Sequence, residues 1–339
     1  MQPTTNTDMS ASAPQVKVPA FRLISDQLSR VRNLIKQQLT SHNAAGDIKG
    51  MLEQISSRSG KMIRPGLVLL AGRSCGTITD KHISVAAIIE MIHNATLLHD
   101  DVIDEGKKRR GLPTVNSLWG NESAVLLGDF MLSHVFKMCA QLESHVGDVI
   151  ATAAVRLCKG ELRQVAQKNN WQLNEAEYID VITEKSAVLF SSSCFLGGLL
   201  AGASESQAQS LADFGLNAGI AFQITDDLLD IIGDESKTGK TLGSDVDKHK
   251  LTLALIHLLK TVDEREKDTI ISSFLDRKEK QYDKNALVDI LNHHGSLEYA
   301  RSRAQEFVTT AKRSLASLKQ SDSKDALIET VEFMAGRMS

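Results

Sequence analysis

Leu97-Leu98-His99-Asp100-Asp101-Val102-Ile103-Asp104-Glu105 places three aspartates at the end of an otherwise apolar stretch. Gln223-Ile224-Thr225-Asp226-Asp227-Leu228-Leu229-Asp230 does the same further along the chain. Both have the form Asp-Asp-x-x-Asp. On a helix, residues four apart share a face, so Asp100 pairs with Asp104 and Asp226 with Asp230. Like charges one turn apart destabilise a helix, and apolar neighbours raise that cost. A cation has to compensate. Clusters of carboxylate oxygens suit hard ions, and magnesium takes one or two carboxylates while sharing the rest of its shell with substrate phosphates. A single cluster reads equally well as a solvated helix end. Two copies on separate apolar helices read as a clamp that holds a diphosphate through several metals.

The surrounding pattern is helical throughout. From Phe21 onward, Leu23, Ile24, Leu28, Val31, Leu34 and Ile35 recur at the three- and four-residue spacing of one helix face. Similar periodicity covers residues 85–104, 123–142, 147–167, 176–201, 206–232 and 251–260, and it continues through 286–338. No alternating segments separated by turn pairs occur, so strands are not expected. Breaks are expected at 59–66, 106–116 and 233–245, where Gly, Pro, Asn or Asp cluster. The fold class is all-α, with residues 1–20 as a disordered tail and 21–339 as one helical domain.

Composition agrees. The 339 residues are 42% hydrophobic and 24% charged with a net charge of -3, enough apolar material for a large core and no basic footprint for nucleic acid. Only 5 prolines and 4% aromatics favour helix. Cys75, Cys139, Cys158 and Cys194 have no paired spacing and read as small buried hydrophobes in a reducing cytoplasm. The uncharged stretch 186–204 holds five serines and three glycines, a poor membrane span and a good buried helix.

Basic residues flank both acidic stretches. Lys107, Lys108, Arg109 and Arg110 follow the first; Lys237, Lys240, Lys248 and Lys250 follow the second; Gly60-Lys61-Met62-Ile63-Arg64-Pro65 offers a third cationic loop. Each run alone is an ordinary solvated surface, but beside the acidic helix ends they read as diphosphate pockets.

With these residues assembled, the chain resembles the trans-polyprenyl diphosphate synthases over nearly all its length after the tail. Residues 88–101 are similar to that family's first aspartate-rich helix, Arg109-Arg110-Gly111 to its basic partner, and 219–230 with Gly239-Lys240 and Gly243-Ser244-Asp245 to its second. The resemblance implies a helical bundle around a deep cavity and a homodimer in the cytoplasm. It implies two magnesium ions on Asp100 and Asp104 and a third on Asp226, supported by Asp101, Asp227 and Asp230. Arg109, Lys185 and Lys240 would hold the allylic diphosphate, farnesyl or geranyl; Lys61, Arg64, His93 and Arg110 would hold isopentenyl diphosphate. Gln223 and Ser186 would line the reacting carbons, with Ser where the family usually has Thr. Asp247-Lys248-His249-Lys250 departs from the family's acidic-Gly-Lys pattern, which leaves the substrate role of Lys250 open.

Ala95 and Thr96 precede Asp100 by about a turn and are small, where short-chain relatives place an aromatic. An open tunnel past them, with Phe130 as a candidate floor, implies a long product of about the octaprenyl class, suited to a quinone side chain. Competing readings are a farnesyl or geranylgeranyl synthase, a non-catalytic subunit, a terpene cyclase, and a phosphohydrolase built on His99-Asp100. A nucleotide-binding P-loop at Gly239-Lys240-Thr241 fails because position 234 is Asp, not Gly.

Overall fold

The computed structural model describes residues 18–40, 50–52, 60–109, 111–233, 243–276 and 283–336. After a 3-10 turn at Pro19–Ile24 come α1 (Ser25–Thr40), α2 (Ile63–Cys75), α3 (Asp80–Ile103) and a two-strand ladder, β1 (Lys108–Arg109) with β2 (Leu112–Pro113). Then follow α4 (Val115–Cys139), α5 (Ser144–Ala166), α6 (Glu175–Ile182), a π-helical turn at Thr183–Ala187, α7 (Val188–Leu200) and α8 (Glu205–Ile232). The chain ends with α9 (Ser244–Asp247), α10 (Leu253–Thr261), α11 (Glu264–Ile270), α12 (Lys284–His293), α13 (Ser296–Ser314) and α14 (Asp322–Ala335).

Local chemistry sets these limits. At the start of α3, His82 Nδ1 accepts the Thr79 N–H at 3.0 Å, so its Nε2 carries the hydrogen that reaches Gly197 O at 3.1 Å on α7. Asn174 opens α6 and Ser204 opens α8, each in a reciprocal capping box with Glu177 and Gln207. Gly120 sits at φ 85 inside α4 and breaks it, so regular helix resumes near the expected position 123.

Several expectations change. The short β1–β2 ladder is a hairpin where no strand was expected, turning at Gly111 with φ 76. Helix α2 starts at Ile63, so Arg64 to Gly66 lie inside a helix rather than in a loop. The span 176–201 is not one α-helix, because the π turn divides it. Val18 and Ala20 are buried in the core, so the described chain is already packed before position 21; residues 1–17 lie outside the described set. Cys194 is buried as expected, but Cys158 is exposed.

Helix α8 is the central strut, packing on α7 and α13, while α7 lies on α2 and α3 on α4. Two apolar clusters result. One joins α1–α5, α7, the first half of α8 and α14; the other joins α6, the second half of α8 and α10–α13. The first acidic stretch ends α3 in one cluster and the second ends α8 in the other, so the site lies at their junction. Burying each large aliphatic side chain contributes about 1.5–3 kcal/mol, which fixes helix ends that carry unfavourable charge. Among the described residues, no helix is long and apolar enough to cross a membrane.

Candidate active site

The first acidic stretch is held by the hairpin that follows it. Arg109 folds back from β1 and donates to Asp101 Oδ1 from Nε at 2.9 Å and Nη2 at 2.8 Å. Asn116 Nδ2 donates to the Asp101 carbonyl at 3.0 Å, and Thr114 Oγ1 to the Gly106 carbonyl at 2.7 Å. These bonds commit Asp101, not Asp100 or Asp104, to anchoring the hairpin.

Asp100 meets α5 and the π turn. Burial pushes its carboxyl up to about 6, with Lys185 and Arg109 opposing the rise and Glu161 and Asp104 adding to it. Lys185 lies 2.5 Å from Glu161 Oε2 and donates to Gln164 Oε1 at 2.7 Å. This close approach depends on Gly160, since a Cβ there would fall 2.3 Å from the Lys185 backbone nitrogen.

The second stretch is buried more deeply. Asp227 accepts from Tyr178 at 2.7 Å and from Gln223 Nε2 at 2.8 Å, with Lys250 Nζ at 3.5 Å. Ser186 Oγ donates to Gln223 Oε1 at 2.7 Å. Asp230 Oδ2 accepts the Asp245 N–H at 3.0 Å, which ties α9 to the end of α8. Burial and the neighbouring Asp245 push Asp230 up to about 7. Burial alone would lower the Lys250 ammonium, but Asp227 and Asp245 hold it above its usual range.

An ion pair also reaches the first stretch from the segment that follows the second. Lys248, carried on the loop after α9, places Nζ 3.3 Å from Asp104 Oδ2. Its backbone is set by the Lys250 N–H bond to the Asp245 carbonyl at 2.9 Å and by Asn169 N–H on the His249 carbonyl at 3.3 Å. His99, by contrast, points to α4, 3.2 Å from the Val125 carbonyl and 3.5 Å from Asp129. It forms no dyad with Asp100, and the phosphohydrolase reading fails there.

Residues 46–291 match the Polyprenyl synthetase family. The chain belongs to that family. It is 35% identical over 306 residues to the octaprenyl diphosphate synthase of Escherichia coli strain K12, covering 86% of this chain and 94% of that one. It is 33% identical over 290 residues to the short chain isoprenyl diphosphate synthase of Methanothermobacter thermautotrophicus, covering 84% and 89%. A solved polyprenyl synthase from Caulobacter crescentus CB15, complexed with calcium and isoprenyl diphosphate, superposes with a TM-score of 0.90 at 29% identity, covering 97% and 100%. The protein is therefore a prenyltransferase.

In this prenyltransferase the remaining expected residues fall into two groups. Arg64, buried in α2, stacks its guanidinium 4.3 Å from the ring of Phe190, one turn beyond Ser186, and Lys61 Nζ lies 5.3 Å from the Phe333 ring. Met62 between them adopts a left-handed φ of 54, a conformation unusual for a side-chain-bearing residue and held by burial. His93 and Asp226 are half-buried on α3 and α8. Ala95 is fully buried, Thr96 half-buried with its hydroxyl on the His93 carbonyl at 2.8 Å, and Phe130 packs against the core edge-on to His134. Arg110 and Lys240 lie outside the described residues.

Glu161, Gln164 and Tyr178 were not singled out in the sequence. Glu161 and Gln164 are spaced i, i+3 beside Gly160, and that small residue next to a charge was the available signal. Tyr178 gave none, since it reads as core.

The donor set fits magnesium. Every candidate ligand is a carboxylate oxygen, and burial together with neighbouring carboxylates raises Asp100 and Asp230 despite the cations beside them, a charge imbalance that a bound divalent ion would offset. Among the described residues no three His, Cys, Asp or Glu side chains form a cage by themselves.

Proposed function

We propose that this prenyltransferase lengthens a farnesyl or geranyl diphosphate by head-to-tail addition of isopentenyl diphosphate, giving an all-trans polyprenyl diphosphate of about the octaprenyl class for a quinone side chain. The observation that carries this reading is that an Asp-Asp-x-x-Asp stretch closes each of two helices and that Lys248, on the segment tied to Asp230 through α9, reaches Asp104 of the first stretch. Asp100 and Asp104 would hold two magnesium ions and Asp226 a third, and bound there they offset the charge that gathers on a departing diphosphate.

Lys185, Arg109 and Lys240 orient the allylic diphosphate; Lys61, Arg64, His93 and Arg110 orient isopentenyl diphosphate. The allylic C–O bond breaks and the diphosphate keeps the electron pair. The double bond of isopentenyl diphosphate supplies the pair for the new C–C bond. A proton then leaves the resulting cation for the departed diphosphate, and a double bond forms. Gln223 and Ser186 flank the reacting carbons, and the apolar walls keep water from quenching the cation. Lys250 supports Asp227 and Asp245 from behind.

Long product length is supported by Ala95 and Thr96, small residues about one turn ahead of Asp100 on α3 where an aromatic would shorten the space. All six motif aspartates are present, which favours an active subunit over a non-catalytic one. A cytoplasmic homodimer belongs to the same reading. Leu126 and Phe136 on α4 and Val155 and Leu162 on α5 are each about two-thirds exposed or more, an apolar face suited to a second copy.

Purified protein incubated with magnesium, farnesyl diphosphate and isopentenyl diphosphate should release diphosphate and yield products near octaprenyl length. Products that stop at farnesyl or geranylgeranyl length would favour the short-chain alternative, and no incorporation at all would refute the reading.

A further inference from the structure

Four side chains on three elements form one directed chain of hydrogen bonds beneath the second acidic stretch. Tyr178 on α6 donates to Asp227 Oδ2, Gln223 Nε2 donates to Asp227 Oδ1, and Ser186 on the π turn donates to Gln223 Oε1. Tyr178, Asp227 and Ser186 are 2%, 3% and 8% exposed and Gln223 is half-buried, so water has least access to the Tyr178–Asp227 link.

The direction of each link follows from the one before it. Asp227 accepts at both oxygens, from the phenol at Oδ2 and from the Gln223 amide at Oδ1, so Gln223 turns its N–H groups towards Asp227 and its carbonyl oxygen away. The single hydroxyl hydrogen of Ser186 is then committed to that carbonyl, and the serine oxygen keeps only lone pairs for anything else it meets. The phenol occupies Oδ2 and so stops the Asp227 carboxylate from rotating. Lys250 at 3.5 Å cannot do this, because an ammonium interacts as a point charge without selecting one oxygen.

We propose that Tyr178 is a positioning residue for prenyl transfer: by fixing Asp227 it orients Gln223, and through Gln223 it turns the lone pairs of Ser186 towards the carbon that becomes cationic. This rests on the reading above that Ser186 and Gln223 face the reacting carbons. Burial, followed by the Asp227 charge, holds the Tyr178 hydroxyl well above its usual range, so it stays a donor at any working pH. Serine in place of the usual threonine increases the dependence. Threonine is restricted at χ1 by its branch, whereas serine relies on its hydrogen bond for orientation.

Tyr178→Phe removes the first donor and keeps the ring. Turnover should fall about tenfold to a hundredfold, the range for a lost supporting partner, with both Michaelis constants within about twofold of native. Adding Ser186→Thr should recover part of kcat in the Tyr178→Phe background, a rescue that a purely structural role would not produce. Near-native kcat for Tyr178→Phe, a loss confined to the Michaelis constants, or no recovery with Ser186→Thr would overturn the proposal. If Tyr178→Phe does not fold, the three tyrosines of the native chain can be replaced by 3-fluorotyrosine. The Tyr178 fluorine resonance should move when magnesium and a non-ionising allylic thiolodiphosphate bind, and Ser186→Ala should abolish that movement; an unmoved resonance would overturn the proposal. A native protein inactive with isopentenyl diphosphate would instead refute the underlying functional reading.

Discussion

Gly160→Ala tests whether the seating of Lys185 governs turnover. A Cβ at this position meets backbone rather than flexible side chain: Lys185 N at 2.3 Å, Glu184 C at 2.8 Å and Lys185 Cα at 2.8 Å. Ordinary contact begins near 3.4 Å, so α5 and the π turn must separate by about 1 Å. Overpacking of that kind costs about 1–3 kcal/mol. Alanine in place of helical glycine returns about 1 kcal/mol, leaving a net loss on the order of 0–2 kcal/mol. The fold should therefore survive with a melting temperature lowered by a few degrees at most. Activity should not, because a displacement of about 1 Å in a positioning group costs about a hundredfold. Lys185 would move with its backbone, away from Glu161, Gln164 and Asp100. The assay pairs kcat with thermal unfolding, using Gly147→Ala on the same helix as control, since its Cβ would have only an ordinary contact at 3.9 Å. The control should be active and no less stable. Native kcat in a folded Gly160→Ala would refute the reasoning.

Asp100→Ala and Asp226→Ala should each lower turnover by about a hundredfold or more while leaving helical circular dichroism intact, because each removes a carboxylate from a repelling set; near-normal turnover by either would remove it from the metal clamp. Asp100 at about 6 and Asp230 at about 7 hold protons in the folded state that the unfolded chain has already released. Metal-free stability should therefore decline as pH rises from about 4 towards 7, and the gain in melting temperature on adding magnesium with diphosphate should be larger near pH 7.5 than near pH 5.5. Equal gains at both would contradict the charge assignment. Ala95→Phe should shorten products to farnesyl or geranylgeranyl length while the first condensation persists, and Phe130→Ala should lengthen them; chromatographic sizing of the products decides both.

The acidic helix ends were legible because they break a rule: repeated carboxylates closing apolar helices need an external reason. Helix spans were legible from periodicity, and α8 matches its expected end at Ile232. The hairpin at Lys108–Pro113 was not, since two-residue strands leave no alternation to see. Glu161 was invisible because a charge on an amphipathic helix looks solvated until the fold shows it facing Lys185. Tyr178 carried the opposite disguise, a core aromatic whose hydroxyl matters only once α6 lies beside α8. The pairing of Lys248 with Asp104 joins residues far apart in sequence and depends on how α9 is tied to Asp230.

The π turn at Thr183–Ala187 makes the number of residues between Tyr178 and Ser186 a functional quantity. Its closing bond runs from the Val188 N–H to the Thr183 carbonyl, one residue further than an α-helix allows. The turn thus contains a surplus residue. Deleting any one of the five would let α6 and α7 merge into a continuous, better-bonded rod, and would swing everything on one side of the cut by about 100° relative to the other. Tyr178 and Ser186 could not then both reach α8. Substitutions in this turn can be absorbed one side chain at a time, but a lost codon cannot, and the shortened chain would fold tidily into an enzyme out of phase with itself.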